Sequence, residues 1–284
     1  MTTKVSDRLI EAMPWLDSTA EVMKKAFEPV LGQDAPRPAR DALYGVWLGH
    51  PLHPAVVTLP IGFWTSTMVF DLVGEERAAD LSLNLGLVSA VGAAASGAAQ
   101  WQDTTKQDKP RRLGALHAVL NTVAMVLYVA SWLFRRNGAR GPGIALSSIG
   151  FGVSGFSAWL GGDLAYVLGI GVDRTAFQKP PAEWTDVLAE AELLGNTPKR
   201  VEVGDAPVLL LRQGGDIFAI SATCTHLGGP LDEGKIEGDT VTCPWHGSVF
   251  CLRDGKVLHG PATTPEPAFE VRLQDGRVAV RPVA

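Results

Sequence analysis

Cys224-Thr225-His226-Leu227-Gly228-Gly229-Pro230-Leu231 and Cys243-Pro244-Trp245-His246-Gly247-Ser248-Val249-Phe250 decide how this chain is read. Each stretch puts one cysteine and one histidine on a short loop rich in glycine or proline. The first pair is Cys-x-His and the second, after a gap of sixteen residues, is Cys-x-x-His. Two loops of a small sheet held face to face would bring two thiolates and two imidazoles together. Thiolates suit zinc or iron, and imidazole suits either. Ligand type alone therefore leaves a structural zinc site and an iron–sulfur centre both open. The usual zinc-finger order, a cysteine pair followed by a histidine pair, is absent.

These pairs and their flanks resemble the Rieske [2Fe–2S] proteins over roughly residues 184–284. The resemblance implies that Cys224 and Cys243 hold an inner iron and that His226 and His246 hold an outer, solvent-facing iron. It also implies that Ser248 donates a hydrogen bond toward a bridging sulfide. High-potential Rieske proteins carry a further cysteine in each loop, joined as a disulfide; the matching positions here are Gly229 and Trp245. Cys251, the one cysteine left over, has no second cysteine with which to make such a bridge. The tyrosine often found two residues after the serine is Phe250. Fewer hydrogen bonds to the sulfurs stabilise the reduced cluster less, so a low, ferredoxin-like potential is expected.

Hydrophobic residues make up 46% of the 284 and charged residues 19%, with mean hydropathy +0.12. Such a balance points to lipid as the surroundings of part of the chain. The net charge of −5 and the lack of a basic stripe argue against a nucleic-acid partner. Residues 1–48 mix acidic and basic side chains and have no apolar core of the kind a signal peptide needs. Val5, Leu9, Met13 and Leu16 recur at helical spacing, so 1–48 reads as an amphipathic segment lying on the protein or on the membrane surface.

Four apolar stretches follow, at 55–70, 81–99, 113–134 and 144–171. A helix needs about 20 residues to cross the hydrocarbon, and residues 49–172 are predicted to form a four-helix transmembrane domain. Gly86, Ala90, Ala94 and Ala98 fall four apart, as do Gly150, Ser154 and Ala158, which predicts close helix packing. His50-Pro51-Leu52-His53-Pro54, Leu59-Pro60-Ile61-Gly62 and Gly161-Gly162-Asp163-Leu164-Ala165-Tyr166 resemble the four-span membrane family DUF2231, as does Gly169-Ile170-Gly171-Val172. Many members of that family carry histidine where Asp163 stands here. His50, His53 and His117 enter the first and third spans from the side that carries the C-terminal domain. They are candidate ligands of a haem b; the other reading makes them interfacial histidines hydrogen-bonded to backbone or to Asp103 or Asp163. His259, in a loop with glycine and proline, is expected to be a solvated surface residue.

Lys106, Lys109, Arg111, Arg112, Arg37, Arg40, Arg174 and Lys179 flank the spans on the side shared by both termini. Arg77, Arg135, Arg136 and Arg140 flank the other, so the positive-inside rule places the C-terminal domain in the cytoplasm. Residues 173–196, with Pro180-Pro181, read as a linker. A small all-β Rieske domain is expected over 197–284, with strands at 200–203, 208–212, 217–221, 269–273 and 277–281.

The chain is thus expected to be a multi-pass membrane protein that carries single electrons from a soluble reductase or ferredoxin to a membrane acceptor, haem or quinone. Donation to a separate oxygenase and a redox-sensing membrane scaffold are the alternatives. An oxygenase within this chain would need two further histidines and a carboxylate in a soluble domain. No catalytic triad or phosphate-binding glycine loop is evident, so an electron-transfer component is expected rather than a self-contained catalyst.

Overall fold

The computed structural model describes residues 4–104 and 106–283. Residues 1–3 of the N-terminal segment and residue 284 of the C-terminal domain lie outside the described residues. The chain forms two units, Met1–Ala35 with Pro51–Ile170, and Pro36–His50 with Gly171–Ala284.

The first unit is helical. Helices α1 (Val5–Glu11) and α2 (Leu16–Leu31) belong to it, whereas α3 (Arg37–Tyr44) belongs to the second unit. Then come α4 (Leu52–Val56), α5 (Thr58–Leu72), α6 (Glu76–Gln102), α7 (Asp108–Arg136) and α8 (Arg140–Gly162). Four helical spans, Leu52–Leu72, Glu76–Gln102, Asp108–Arg136 and Arg140–Val167, are long and apolar enough to cross a membrane. The expected stretches fall inside them. Leu9, Met13 and Leu16 pack in one core with Leu113, Leu116 and Leu160, so the amphipathic face of α1 and α2 lies on the protein. Asp7 pairs with Lys109 at 2.6 Å, Asp17 pairs with Arg112, and Ser6 Oγ donates to Asp163 at 2.5 Å.

The bundle is a tandem repeat of two helical hairpins, α4–α6 and α7–α8, offset by sixty-four positions. Leu52/Leu116, His53/His117, Thr58/Thr122, Phe70/Phe134, Gly74/Gly138, Gly86/Gly150, Ala94/Ala158 and Gly97/Gly161 are identical across that offset. The turns match as well: Gly74 (φ 79°) and Gly138 (φ 77°) take the left-handed conformation that ends α5 and α7. Glu75 N–H then donates to Phe70 O and Ala139 N–H to Phe134 O, both at 2.9 Å.

Equivalent residues of the two hairpins also meet each other. Trp64 stacks on Tyr128 with ring centroids 3.9 Å apart, and Asp71 pairs with Arg135 at 2.5 Å. Gly86 lies against the Trp64 indole and Gly150 against the Tyr128 ring, which is why neither position holds a side chain. The buried seam of α6 runs through Leu83, Gly86, Ala90, Ala93 and Ser96, while Ala94 is exposed. A strict four-residue row drifts off a face that repeats every 3.6 residues, which corrects the spacing read from the sequence.

The second unit is all-β apart from α3 and short 3-10 turns. Its strands are β1 (Thr185–Ala189), β2 (Lys199–Val203), β3 (Ala206–Gln213), β4 (Asp216–Ser221), β5 (Lys235–Glu237), β6 (Thr240–Thr242), β7 (Val249–Cys251), β8 (Val257–His259), β9 (Phe269–Gln274) and β10 (Arg277–Pro282). They form three antiparallel sheets, β1-β10-β9, β2-β3-β4 and β5-β6-β7-β8. One core, around Leu209, Ile220, Val241 and Phe250, includes Cys224 and Cys243.

Two boundaries differ from the sequence reading. Residues 1–48 are not one segment, because Pro36 and the left-handed Gly45 (φ 90°) bound a separate helix that joins the β-unit. Residues 173–196 are not all linker: β1 pairs with β10, and Leu188 is 5% exposed. An edge strand whose partner lies far downstream leaves no local mark in the sequence.

Candidate metal centre

Two loops of one construction carry the four ligand candidates. In the first, Cys224 N–H donates to Gly229 O and Gly228 N–H to Cys224 O, both at 2.8 Å. In the second, Cys243 N–H donates to Ser248 O at 2.8 Å and Gly247 N–H to Cys243 O at 3.1 Å. Gly228 (φ 80°) and Gly247 (φ 78°) sit just beyond the histidines, where the chain reverses through the left-handed region. Each cysteine is thereby fixed by its own backbone at the base of a closed turn.

Cys224 and Cys243 are 1% and 2% exposed, and their sulfurs touch. That contact first, then burial, pushes the Cys224 thiol well above its ordinary range. Two adjacent buried thiols do not both ionise unless a cation lies beside them. The His226 and His246 rings stand 5.2 Å apart, nearly perpendicular at 89°. His226 Nδ1 is wholly covered and has no hydrogen-bond partner. Burial, and after it the neighbouring His246, Arg174 and Arg40, push its imidazole down to about 3. A neutral imidazole with a buried ring nitrogen that makes no hydrogen bond is suited to bind a metal ion.

Among the described residues no three His, Cys, Asp or Glu side chains converge on a single ion. A tetrahedral zinc needs four donors around one point. Sulfurs paired in one place and imidazoles paired in another fit a two-iron cluster instead. Ser248, fully buried, accepts Ala262 N–H at 2.9 Å, which leaves its own proton to donate. A Cβ on Gly229 would lie 2.7 Å from Cys243 Sγ and 3.1 Å from Trp245 Cγ, so that residue has no room for a side chain. His246 is 7% exposed and His226 half-buried. The solvent-facing expectation is corrected for His246, whose ring packs edge-on against both His226 and Trp245.

Three contributors were invisible in the sequence. Glu266 Oε1 accepts Thr225 N–H at 2.7 Å between the two first-loop ligands. Burial pushes its carboxyl well above the usual carboxylate range. Arg174 N–H donates to Thr225 O at 3.0 Å from the other side. Asp41 of α3 accepts His259 Nδ1 and Gly260 N–H, both at 2.8 Å. His259 is therefore a structural link and not the solvated residue expected. None of these has a fixed spacing from the ligands, so no sequence pattern marks them.

The neutral carboxyl of Glu266 is its stabilising form. Its contribution is complete below the ordinary carboxylate range and fades as pH rises through the elevated value. Glu266→Gln keeps the acceptor and should hold the cluster with a flatter stability profile as pH rises above the ordinary carboxylate range. Glu266→Ala should cost about 1–3 kcal/mol by orphaning Thr225 N–H. Thermal unfolding of the full chain across pH checks both.

The three bundle histidines do not form one group. His50 belongs to the β-unit, while His53 and His117 belong to the bundle. His53 Nδ1 lies 2.9 Å from Ala93 O and His117 Nδ1 2.8 Å from Ser157 O. Both partners are backbone carbonyls, one of the two kinds that the interfacial reading named, and not Asp103 or Asp163.

A β-unit offering two thiols and two imidazoles from facing loops, continuous with a bundle of four apolar helices, defines a redox-metal domain fused to a membrane domain. The chain belongs to the Rieske [2Fe-2S] domain family, which matches residues 183–275, and residues 49–174 match DUF2231, a family of predicted membrane proteins. Its β-unit is 38% identical over 98 residues to ferredoxin CarAc of Metapseudomonas resinovorans, covering 34% of this chain and 92% of that protein. It is 36% identical over 96 residues to the ferredoxin component of biphenyl 2,3-dioxygenase of Rhodococcus jostii, covering 34% and 90%. It is also 32% identical over 107 residues to the cytochrome b6-f complex iron-sulfur subunit of Chlorobaculum tepidum. That match covers 36% of this chain and 58% of that subunit. The β-unit is an electron-transfer domain of the Rieske ferredoxin kind, and a [2Fe–2S] cluster is its cofactor.

Proposed function

We propose that this protein is a membrane-anchored carrier of single electrons, with Cys224 and Cys243 on one iron and His226 and His246 on the other. The observation that carries the assignment is the buried, partnerless Nδ1 of His226 beside His246, with the two thiols paired separately. When bound, the cluster supplies a one-electron couple between its two iron oxidation levels. The chain's own groups fix the ligands in place, and Ser248 presents a hydroxyl proton toward the sulfurs. Electron paramagnetic resonance with iron and acid-labile sulfide analysis of the detergent-purified full chain tests this. Two irons and two sulfides per chain are expected; one zinc and no sulfide would overturn it.

The partners follow from the fusion. A soluble reductase or ferredoxin delivers the electron, and a haem or quinone in the membrane accepts it. The basic residues flanking the spans favour a cytoplasmic β-unit. Donation to a separate oxygenase is the second reading, favoured by the near-complete coverage of two ferredoxins, one of them a dioxygenase component by name. Oxidation of the pre-reduced protein by quinone in proteoliposomes, but not by soluble acceptors, separates the two. Retention of full physiological effect by an iron-free variant would instead support the scaffold reading.

Phe250 is fully buried in the core that holds both cysteines. Phe250→Tyr should place a hydroxyl there and raise the midpoint potential, on the order of 50 mV for a hydrogen bond worth about 1 kcal/mol more to the reduced state. Protein-film voltammetry reads the shift.

A further inference from the structure

Asp80, Leu83 and Asn84 of α6 and Trp132, Arg135 and Arg136 of α7 follow one spacing, i, i+3 and i+4. Each set therefore makes one face of a single helical turn. The two turns line a cavity of about 320 Å³ in the bundle. Arg136 is the last residue of the span Asp108–Arg136, and Trp132 lies one turn before it. At a span end an indole ring and a guanidinium sit at the level of lipid headgroups.

The charges of the lining do not cancel. Asp80 pairs with Arg135 at 3.2 Å and with Arg140 at 3.1 Å, and Arg135 pairs with Asp71 at 2.5 Å. Glu76, mostly exposed and outside the cavity lining, reaches Arg140 at 3.5 Å. Arg136 is left over, for it makes no ion pair with a carboxylate among the described residues. Its guanidinium lies over the Trp132 ring, 4.9 Å from the centroid. Stacking occupies the flat face of the group and leaves its in-plane N–H donors for an oxyanion. Asn84 is exposed on α6 between the exposed Leu81 and Leu85. An amide on an apolar, lipid-length helix is costly unless a polar partner meets it.

The other hairpin shows that this lining is not a by-product of the repeat. Sixty-four positions away, Met68 and Leu72 stand for Trp132 and Arg136, and Ile144 and Ser148 stand for Asp80 and Asn84. The charged cavity thus belongs to one seam of the bundle, between α6 and α7.

A phosphate diester fits the α6–α7 seam. A guanidinium takes two phosphate oxygens as a fork, and an amide donates to a third. Asp80 faces the same space with its charge already met by two arginines. Leu81, Leu85 and Val88, all exposed, continue along α6 as an apolar seat for an acyl chain. We propose that the cavity is a phosphate site filled by the headgroup of a membrane lipid, with Arg136 as the anion's partner and Asn84 as the second donor. The site lies within the bundle, so the assignment goes beyond the electron-carrier reading and stands without it.

The test is native mass spectrometry of the delipidated, detergent-solubilised full chain, titrated separately with phosphatidylglycerol, diacylglycerol and inorganic phosphate. The wild type should bind one phosphatidylglycerol per chain, about tenfold more tightly than diacylglycerol, which lacks the phosphate. Arg136→Ala should remove that preference, a loss of about tenfold for a hydrogen-bonded charge. Arg136→Lys keeps the charge without the fork and should fall between. Asn84→Leu should weaken binding about fivefold. Arg77→Ala, an exposed base outside the cavity lining, should change nothing. The cluster's paramagnetic signal should persist in every variant, so failure of this assignment and failure of the carrier reading are told apart. Equal binding of phosphatidylglycerol and diacylglycerol would overturn the proposal, as would equal losses in Arg77→Ala and Arg136→Ala. Inorganic phosphate bound through Arg136, with no preference for the phosphate-bearing lipid, would overturn the lipid source. The wild-type comparison decides the matter even if a variant fails to fold.

Discussion

Cys224→Ser or Cys243→Ser should leave the full-length protein with essentially no acid-labile sulfide and no cluster signal, while the helical bundle stays folded. Both sulfurs are buried in the core of the β-unit, each at the base of a turn closed by its own N–H and C=O. A serine oxygen is harder and more strongly protonated than a thiolate and does not substitute on iron held in a dry, sulfur-lined pocket. Replacing Cys243 also removes the contact that raises the pKa of Cys224. His226→Ala should be equally severe, because its covered Nδ1 has no alternative partner. Iron and sulfide content, with far-ultraviolet circular dichroism as the control for folding, checks the expectation. A Cys243→Ser protein that retained half its sulfide would refute the ligand assignment.

The second large effect lies in the bundle. Asp71 and Arg135 side chains are 4% and 2% exposed and joined by a bidentate pair, with Arg135 reaching Ser131, Ser147 and Asp80 and Arg140 reaching Asp71. Asp71→Leu leaves a buried guanidinium with only the half-exposed Asp80 to balance it, and should cost about 3–5 kcal/mol. Asp71→Leu combined with Arg135→Leu removes both charges and should recover most of that loss, because a packed apolar pair often equals a buried ion pair. Thermal unfolding in detergent measures both. A single variant as stable as the wild type would mean that the pair is wet and not buried.

The cluster loops were legible because the ligands are chemically rare and lie two or three residues apart within each loop. The spans were legible because bilayer thickness imposes a length that few other structures require. What escaped notice depends on partners distant in the chain. Asp41 meets His259 across more than two hundred residues, β1 finds β10 across about ninety, and Glu266 reaches Thr225 over forty-one. The hairpin repeat was present in the sequence but thin, with His53/His117 and a few glycines identical among many changed apolar positions. Only the matched hydrogen bonds and ring contacts make it unmistakable.

The two halves of that repeat are not interchangeable, and the difference sits at Asp71 and Arg135. Had both kept an acid, or both a base, either hairpin would be a fair mate for its counterpart in a neighbouring molecule. With opposite signs, two first hairpins would set carboxylate against carboxylate in a dry interior, and two second hairpins guanidinium against guanidinium. Opposite charge at a single matched position thus makes each hairpin a lock that accepts only the other as its key.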